Sequence, residues 1–332
     1  MDDDARHLIE QKESQGKGLG IFARQNIPCG TRIIAEAGSL KVNRDTTSAP
    51  DIIHAFKRLS PPQQKSYLEL HEYACDAFKR AAEQEMDRDW EKMPQLHRRV
   101  LAVWVANCFG DVFLLGSRIN HSCAPNVHFA YNAALGKQTF HAIRDIEAGE
   151  ELTVMYINGT NRTRGQRQDE LKKWGFRCNC PICEDTPRGR KKEEKRVELF
   201  RLDQELATYT RFNFQHGPED SWKKALKAAQ RMAGLQKSEG LLNRDLSISY
   251  HDAARYSARL GDASMALLWA EKELEVDRYC VGVDHPHYSS ESDTVTQLRE
   301  AVESSQPFDQ SVIKWFDSYD SPSNDNEACA VM

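Results

Sequence analysis

No stretch of this 332-residue sequence strings together the roughly twenty apolar residues that a membrane-spanning helix needs, which excludes a helical span. Positive charge is not in surplus either: 45 Lys and Arg stand against 50 Asp and Glu, a formal net charge of -5. Nothing is left over to neutralise a run of phosphates, so a direct nucleic-acid partner is not expected and a protein partner is. The opening, MDDDARHL, is acidic where a secretory or transit leader is basic, and the chain is expected on the reducing side of membranes, in the nucleus, the cytoplasm or both. Cysteine occurs nine times, at 29, 75, 108, 123, 178, 180, 183, 280 and 329, a spacing too uneven for a disulfide framework. It points instead to one metal cluster among scattered thiols. No period near 34 residues is sustained, so a tetratricopeptide array is excluded. The length suits two domains, each with its own core, and a monomer is expected.

Leu8 to Val42 reads as short strands and turns, punctuated by Gly16, Gly18, Gly20, Pro28 and Gly30. Composition then changes: Ser60-Pro61 is a cap followed by proline in a first turn, and Arg98 to Phe109 has helical apolar spacing ending at Gly110. Residues 45–110 are therefore expected to be a helical insert. Alternation returns at Val127, Phe129 and Tyr131, then from Gln138 to Ile143, then from Leu152 to Tyr156, and predicts an antiparallel β unit. A charged helix is expected from about Thr163 to Trp174, stopped by Gly175 in a left-handed cap. Past Glu184 the run PRGRKKEEKR reads as a polar joint, with helices following at about 193–212, 220–234, 245–260, 263–278 and 288–304. Gly261-Asp262 makes an αα-hairpin turn with Ala253, Tyr256, Ala266 and Ala270 placed to pack across it. The end, 316–332, is polar and acidic and is expected to be disordered.

The most specific chemical signal is Cys178-Asn179-Cys180-Pro181-Ile182-Cys183. These cysteines are too close in sequence for relaxed disulfides, whereas thiolates on one tight loop suit tetrahedral zinc. Three ligands need a fourth. Cys123 is the candidate, because a closed site would clip the end of the β region back onto its middle; three thiols without metal are the competing reading.

Four blocks in order then resemble the SET-domain protein lysine methyltransferases: Gly16-Lys17-Gly18-Leu19-Gly20, Arg118-Ile119-Asn120-His121-Ser122-Cys123, Gly149-Glu150-Glu151-Leu152-Thr153-Val154-Met155-Tyr156, and the cysteine cluster. The split by a helical insert and the helical second half look most like the SET-and-MYND subfamily and its fungal SET relatives. The resemblance covers about residues 8–184 by motif. It implies an α+β fold: a SET domain over 1–184 with the insert and a post-SET zinc cluster at 176–183, then an all-helical, tetratricopeptide-like domain over 190–310. It further implies S-adenosylmethionine as methyl donor, one structural zinc on Cys123, Cys178, Cys180 and Cys183, and a lysine-bearing protein as substrate. Lys17, Gly18 and Leu19 match the loop along the methionine part of the donor, and Ser117, Asn120 and His121 match the segment that binds its amino-acid and adenosine parts. A dinucleotide reading of the same glycines would need a helix directly after them, where Ile21 to Ala35 reads as strand.

Tyr156 matches the family's catalytic tyrosine. Methyl transfer is an in-line displacement in which a neutral amine meets a sulfonium methyl, so orientation and field count for more than a strong base, and a phenol supplies both. Asn107-Cys108-Phe109 looks like the segment with which relatives line the cofactor and lysine pockets. Trp174 and Phe176 align with an aromatic pair, the first lining the lysine channel and the second stacking on adenine. Asn107, Phe109, Tyr156 and Trp174 are thus the expected channel.

Departures accompany the likeness. Only Cys75 and Cys108 lie between 42 and 110, too few for a MYND zinc finger, and Ala124 replaces an acidic residue common after the Asn-His-Ser-Cys block. A SET fold that has lost turnover and serves as a protein scaffold is the alternative function. Cys329-Ala330-Val331-Met332 fits a farnesylation box, and Arg188 to Lys192 reads as a solvated helix start in preference to a nuclear signal.

Overall fold

A computed structural model of the chain describes residues 4–40, 42, 47–157, 159–211, 219–304 and 316. Of the 316–332 tail expected to be disordered, Phe316 is instead buried, with its carbonyl 3.2 Å from His251 Nε2, and the rest, with Cys329, lies outside the described residues.

The first layer is β-rich. Strands β1 (Ile9–Ser14) and β2 (Gly18–Ala23) form an antiparallel hairpin, with Glu13 opposite Leu19. A second sheet has the order β3-β6-β5, where β3 is Arg32–Glu36, β5 is Val127–Asn132 and β6 is Lys137–Ala142, antiparallel throughout. Its alternating apolar side chains, among them Ile34, Phe129 and Phe140, join Ile21, Ile27, Leu152 and Val154 in one core. The expected run Leu152 to Tyr156 does not extend this antiparallel unit. Its regular part, β7 (Thr153–Val154), pairs in parallel with β4 (Asn120–His121). The reason is local: Asn126, fully buried, accepts from Thr153 N at 2.7 Å through its side chain and donates to Glu151 O, filling the edge that an antiparallel neighbour would occupy.

Between β3 and β4 lie α1 (Ala49–Lys57), α2 (Pro61–Leu68), α3 (Asp76–Met86) and α4 (Gln95–Asn107). Ser48 with Asp51 and Ser60 with Gln63 close capping boxes with proline in the first turn, so both starts are written in the sequence. The insert has a separate core built on Phe56, Tyr67, Phe78, Trp90 and Trp104. After β7 comes α5 (Arg164–Leu171), capped by Thr163 and Gln166, and then a 3-10 turn through Trp174. Gly175 takes φ of 77°, and a Cβ there would stand 2.5 Å from the Tyr73 ring, so both backbone and packing demand glycine.

The remaining helices are α6 (Pro187–Arg211), α7 (Glu219–Ser238), α8 (Arg244–Arg259), α9 (Ala263–Cys280) and α10 (Pro286–Ser304). The supposed polar joint is therefore itself helix, its charges before Arg196 exposed or part-exposed on the first turns of α6. Successive helices pack as antiparallel hairpins, with Ala253, Tyr256, Ala266 and Ala270 buried. This half is fastened to the β layer by polar bonds. Thr160 N donates to Asp245 at 2.7 Å, Asn161 donates to Asp203 at 3.2 Å, and His285 meets Tyr131 O at 3.1 Å.

The strongest fastener is Arg196. Fully buried on α6, it donates to Thr160 O and to Cys123 O, each at 2.7 Å. It lies on the same face as the buried Leu199, Leu202 and Leu206, so a charged head has been placed on an apolar stripe. Arg196→Met is expected to lower stability by about 3 kcal/mol, because two buried carbonyls lose their donors at once. A denaturant titration checks this; a change under about 0.5 kcal/mol would mean the two carbonyls find other donors.

Candidate functional site

The parallel β4–β7 pair brings Tyr156 beside the Asn120–His121 turn, although 35 residues separate Tyr156 from His121. Tyr156 N donates to His121 Nδ1 at 3.1 Å, and the Tyr156 hydroxyl donates to Ile119 O at 2.8 Å. Burial raises the phenol well above its ordinary pKa, with the Glu151 carboxylate adding to the effect. It is thus a protonated hydroxyl with a fixed direction, not a base. Four rings surround it: His121, Trp174, Phe109 and Phe176, with centroids at 5.3, 5.7, 5.9 and 6.3 Å.

His121 is a joint between two parts of the site. Because Nδ1 accepts from Tyr156 N, the neutral ring carries its proton on Nε2, which lies 3.4 Å from Cys123 Sγ. Burial holds its pKa down to about 4, so the ring is neutral at physiological pH. Its side chain is thereby committed to orienting the tyrosine strand and the Cys123 sulfur. Only its backbone and its ring face are left for the donor contact implied by resemblance.

The other expected cofactor residues gather near this turn. Asn120 Nδ2 donates to Leu19 O at 3.1 Å and to Glu151 at 2.8 Å, and Lys17 Nζ pairs with Glu151 at 2.7 Å. Gly18 has φ of 78° with open space beyond it, and Leu19 and Phe176 are the large apolar side chains left exposed here, at 48% and 38%. Two exposed apolar groups flanking a polar turn form a platform suited to a ligand with an aromatic base and an aliphatic arm. Ser117 donates to Asn107 O and accepts from Phe113 N, and Asn107 donates to His71 O and Val103 O. These two side chains hold the end of α4 against the loop and are spent in doing so.

Cys123, Cys178, Cys180 and Cys183 are all buried, and their sulfurs lie within 4.8 Å of one another. Cys123 Sγ is 3.9 Å from Cys178 Sγ and 3.5 Å from Cys183 Sγ. Zinc–thiolate bonds of about 2.3 Å give a tetrahedral edge of about 3.8 Å, so the four sulfurs already stand at the spacing a zinc ion requires. Zinc with four thiolates carries two negative charges. The buried Arg167, with Nη2 3.6 Å from Cys183 Sγ and 3.1 Å from Glu193, and Arg196, on Cys123 O, bring positive charge toward it.

Sequence reasoning missed Arg167, Arg196, Glu36 and Asn126. Glu36, mostly buried, accepts from Leu115 N and Gly116 N and fixes the loop that leads into β4. A signal existed for Arg196 in its heptad-like spacing to Leu199, Leu202 and Leu206. Glu36 and Asn126 carry none, since their partners are backbone groups from distant segments.

A split β fold threaded through its own active turn, with a buried tyrosine and a four-cysteine knot, defines a class. Residues 18–157 match the family described as SET domain. The histone-lysine N-methyltransferase set5 of Schizosaccharomyces pombe is 30% identical over 275 residues, covering 82% of this chain and 78% of that protein. The chain belongs to the SET-domain protein lysine methyltransferase family. A putative SET domain-containing protein of Acanthamoeba polyphaga mimivirus is 28% identical over 50% of this chain and 74% of its own length. SET5 of Meyerozyma guilliermondii reaches 47% identity, but only over 84 residues, 17% of its length.

Proposed function

We propose that the chain transfers methyl groups from S-adenosylmethionine to lysine side chains of protein substrates, histones among them, and acts in the nucleus. The observation that carries the reading is the position of Tyr156: a fixed phenol in an aromatic cage of His121, Trp174, Phe109 and Phe176, bonded to the Asn120–His121 turn; the residue also borders a cavity of about 450 Å³ that faces the helical half. The donor, when bound, supplies an electrophilic methyl on a sulfonium. Tyr156 offers its oxygen lone pairs to the incoming amine while its own proton is held by Ile119 O. The phenol keeps its proton, so the amine must reach the site neutral or lose its proton to water. Phe109 and Trp174 wall the lysine stem, and Phe176, on the exposed side of His121, takes the adenine. Lys17, Gly18, Leu19, Ser117, Asn120 and His121 hold the rest of the donor, largely through backbone groups. One zinc on Cys123, Cys178, Cys180 and Cys183 is structural: the four positions are closed by protein sulfur, which leaves no coordination site for substrate. Radiolabelled transfer to histones and to a whole proteome, with mass spectrometry of the modified residue, tests the proposal; absence of methyl-lysine product on any substrate would overturn it.

The helical half selects the substrate. The cavity runs between β5 and Tyr156 on one side and α6 and α8 on the other, and Asp203, Asp245 and Asp252 line the helical side. Its arginines are paired, Arg162 with Glu170 at 3.1 Å and Arg244 with Asp277 at 3.2 Å, and Asp252 is paired with Arg255, which leaves Asp203 and Asp245 as the acids without an ion-pair partner among the described residues. A peptide with further basic residues beside the target lysine fits this balance. Asp203→Asn is expected to raise KM for such peptides about tenfold, roughly 1.4 kcal/mol, with kcat nearly unchanged. Equal KM for basic and neutral flanks in both proteins would exclude charge selection.

A further inference from the structure

Away from the cysteine knot, the interior of the helical half holds more acid than base. Asp277 and Glu273, one turn apart on α9, and Glu291 on α10 have no exposed surface. Arg244 from α8 pairs with Asp277 Oδ2 at 3.2 Å, and Arg255 pairs with the neighbouring Asp252. His251 Nδ1 lies 2.9 Å from Glu273, and His287 Nε2 lies 3.2 Å from Asp277 Oδ2. Asp252 and Arg255 cancel, so among the described residues three buried carboxylates face one guanidinium and two histidines. Neither oxygen of Glu291, nor Asp277 Oδ1, meets an N–H or hydroxyl donor, although Glu291 and Asp277 stand close enough to share a proton. Buried carboxylate oxygens without donors are costly and rare.

Geometry makes the gap specific. Donor atoms of Asp277, His287 and Glu291 lie within 4.8 Å of one another. His287 and Glu291 are four residues apart on α10 and share a helix face, while Asp277 meets them from α9. Metal–nitrogen and metal–oxygen bonds of about 2.0–2.2 Å place neighbouring ligand atoms a little over 3 Å apart, as His287 Nε2 and Asp277 Oδ2 are. The His287 side chain is 26% exposed, which gives an ion a route in and leaves room for water as a further ligand.

We propose that Asp277, His287 and Glu291 form a second metal site, for a divalent first-row transition ion of the zinc type, which staples α9 to α10. One such ion balances the two uncompensated negative charges. Because Arg244 touches Asp277 and also lines the substrate cavity, the staple would stiffen one wall of that cavity.

Cobalt is the probe, applied to the full chain with the cysteine site already filled with zinc. One further equivalent should bind, with the weak d–d absorption of a nitrogen and oxygen site and no sulfur-to-metal charge-transfer band, and should raise Tm by several degrees. Glu291→Gln, nearly isosteric, and His287→Asn, at a part-exposed position, should each abolish that equivalent and its Tm shift while zinc at the cysteines stays at one per chain. If wild type takes up no extra cobalt and its Tm ignores the ion, the carboxylates merely share protons and the proposal fails. It fails equally if both variants bind cobalt as wild type does. Neither readout depends on methyl transfer, so the result stands apart from the functional reading.

Discussion

Tyr156→Phe is expected to reduce kcat/KM for lysine methylation by about 10²- to 10³-fold while leaving the fold, the cysteine-bound zinc and donor affinity close to wild type. The size follows from removing one preorganised dipole at the reacting centre, which elsewhere costs about 3–4 kcal/mol of transition-state stabilisation. Only the hydroxyl is lost. The ring remains among His121, Trp174, Phe109 and Phe176, and Tyr156 N still donates to His121 Nδ1, so β7 keeps its place on β4. The lost bond to Ile119 O should cost stability by about 1 kcal/mol. Single-turnover transfer separates chemistry from binding, and calorimetry with S-adenosylhomocysteine measures the donor site. Retention of more than about a tenth of the activity would show that the phenol is a wall and not a director of charge. A wild type that binds the donor yet transfers nothing would favour the scaffold reading. The acid limb of the pH–rate profile should report deprotonation of the substrate amine, because a phenol raised by burial does not titrate in the working range.

How far the sequence carried this far depends on whether a residue acts through its neighbours in sequence or through distant backbone. Helix starts were legible at Ser60 and Thr163, where cap and partner sit three residues apart and interact locally, while the same pattern at Ser48 went unread. So was the αα-hairpin at Gly261, because small residues at helical spacing can be read without knowing the partner. The four cysteines were legible because the Cys-x-Cys-x-x-Cys loop leaves one position to fill, and Cys123 is where the fold brings the fourth sulfur. The parallel pairing of β7 was not readable from alternation, since a two-residue strand has no period and its edge is closed by a single side chain, Asn126. The start of α6 was misread for the opposite reason: PRGRKKEEKR is polar all round for a full turn and shows its apolar face only from Arg196 onward. His121 lies beside Tyr156 and Cys123, and no local pattern tells which atoms its two ring nitrogens meet.

Removing the cysteine-bound zinc should be the most damaging single change to the molecule. Cys123, Cys178, Cys180 and Cys183 form a satellite core with Ile157, Leu171 and Ile182, and Tyr156 and Trp174 pack on it. Few apolar groups hold residues 176–183, so the zinc proposed there would supply most of what fixes them; zinc binding by small cysteine sites is worth about 10–16 kcal/mol at neutral pH. Without the ion, four thiols replace four thiolates, the buried Arg196 loses the negative charge nearest it while Arg167 keeps only Glu193, and His121 loses the thiolate that orients its Nε2 proton. Cys180→Ser is therefore expected to abolish zinc at this site, to lower Tm by about 10 °C or more, and to remove methyl transfer together with donor binding, because Phe176 and Trp174 lose their anchorage beside Tyr156. Cys29→Ser, at an exposed thiol away from the knot, serves as the control and should change none of these. Metal analysis, thermal melts and donor calorimetry on the two variants decide it. Retained donor binding and turnover in a Cys180→Ser protein without metal at the cysteines would show that the knot only decorates a site the β layer builds alone.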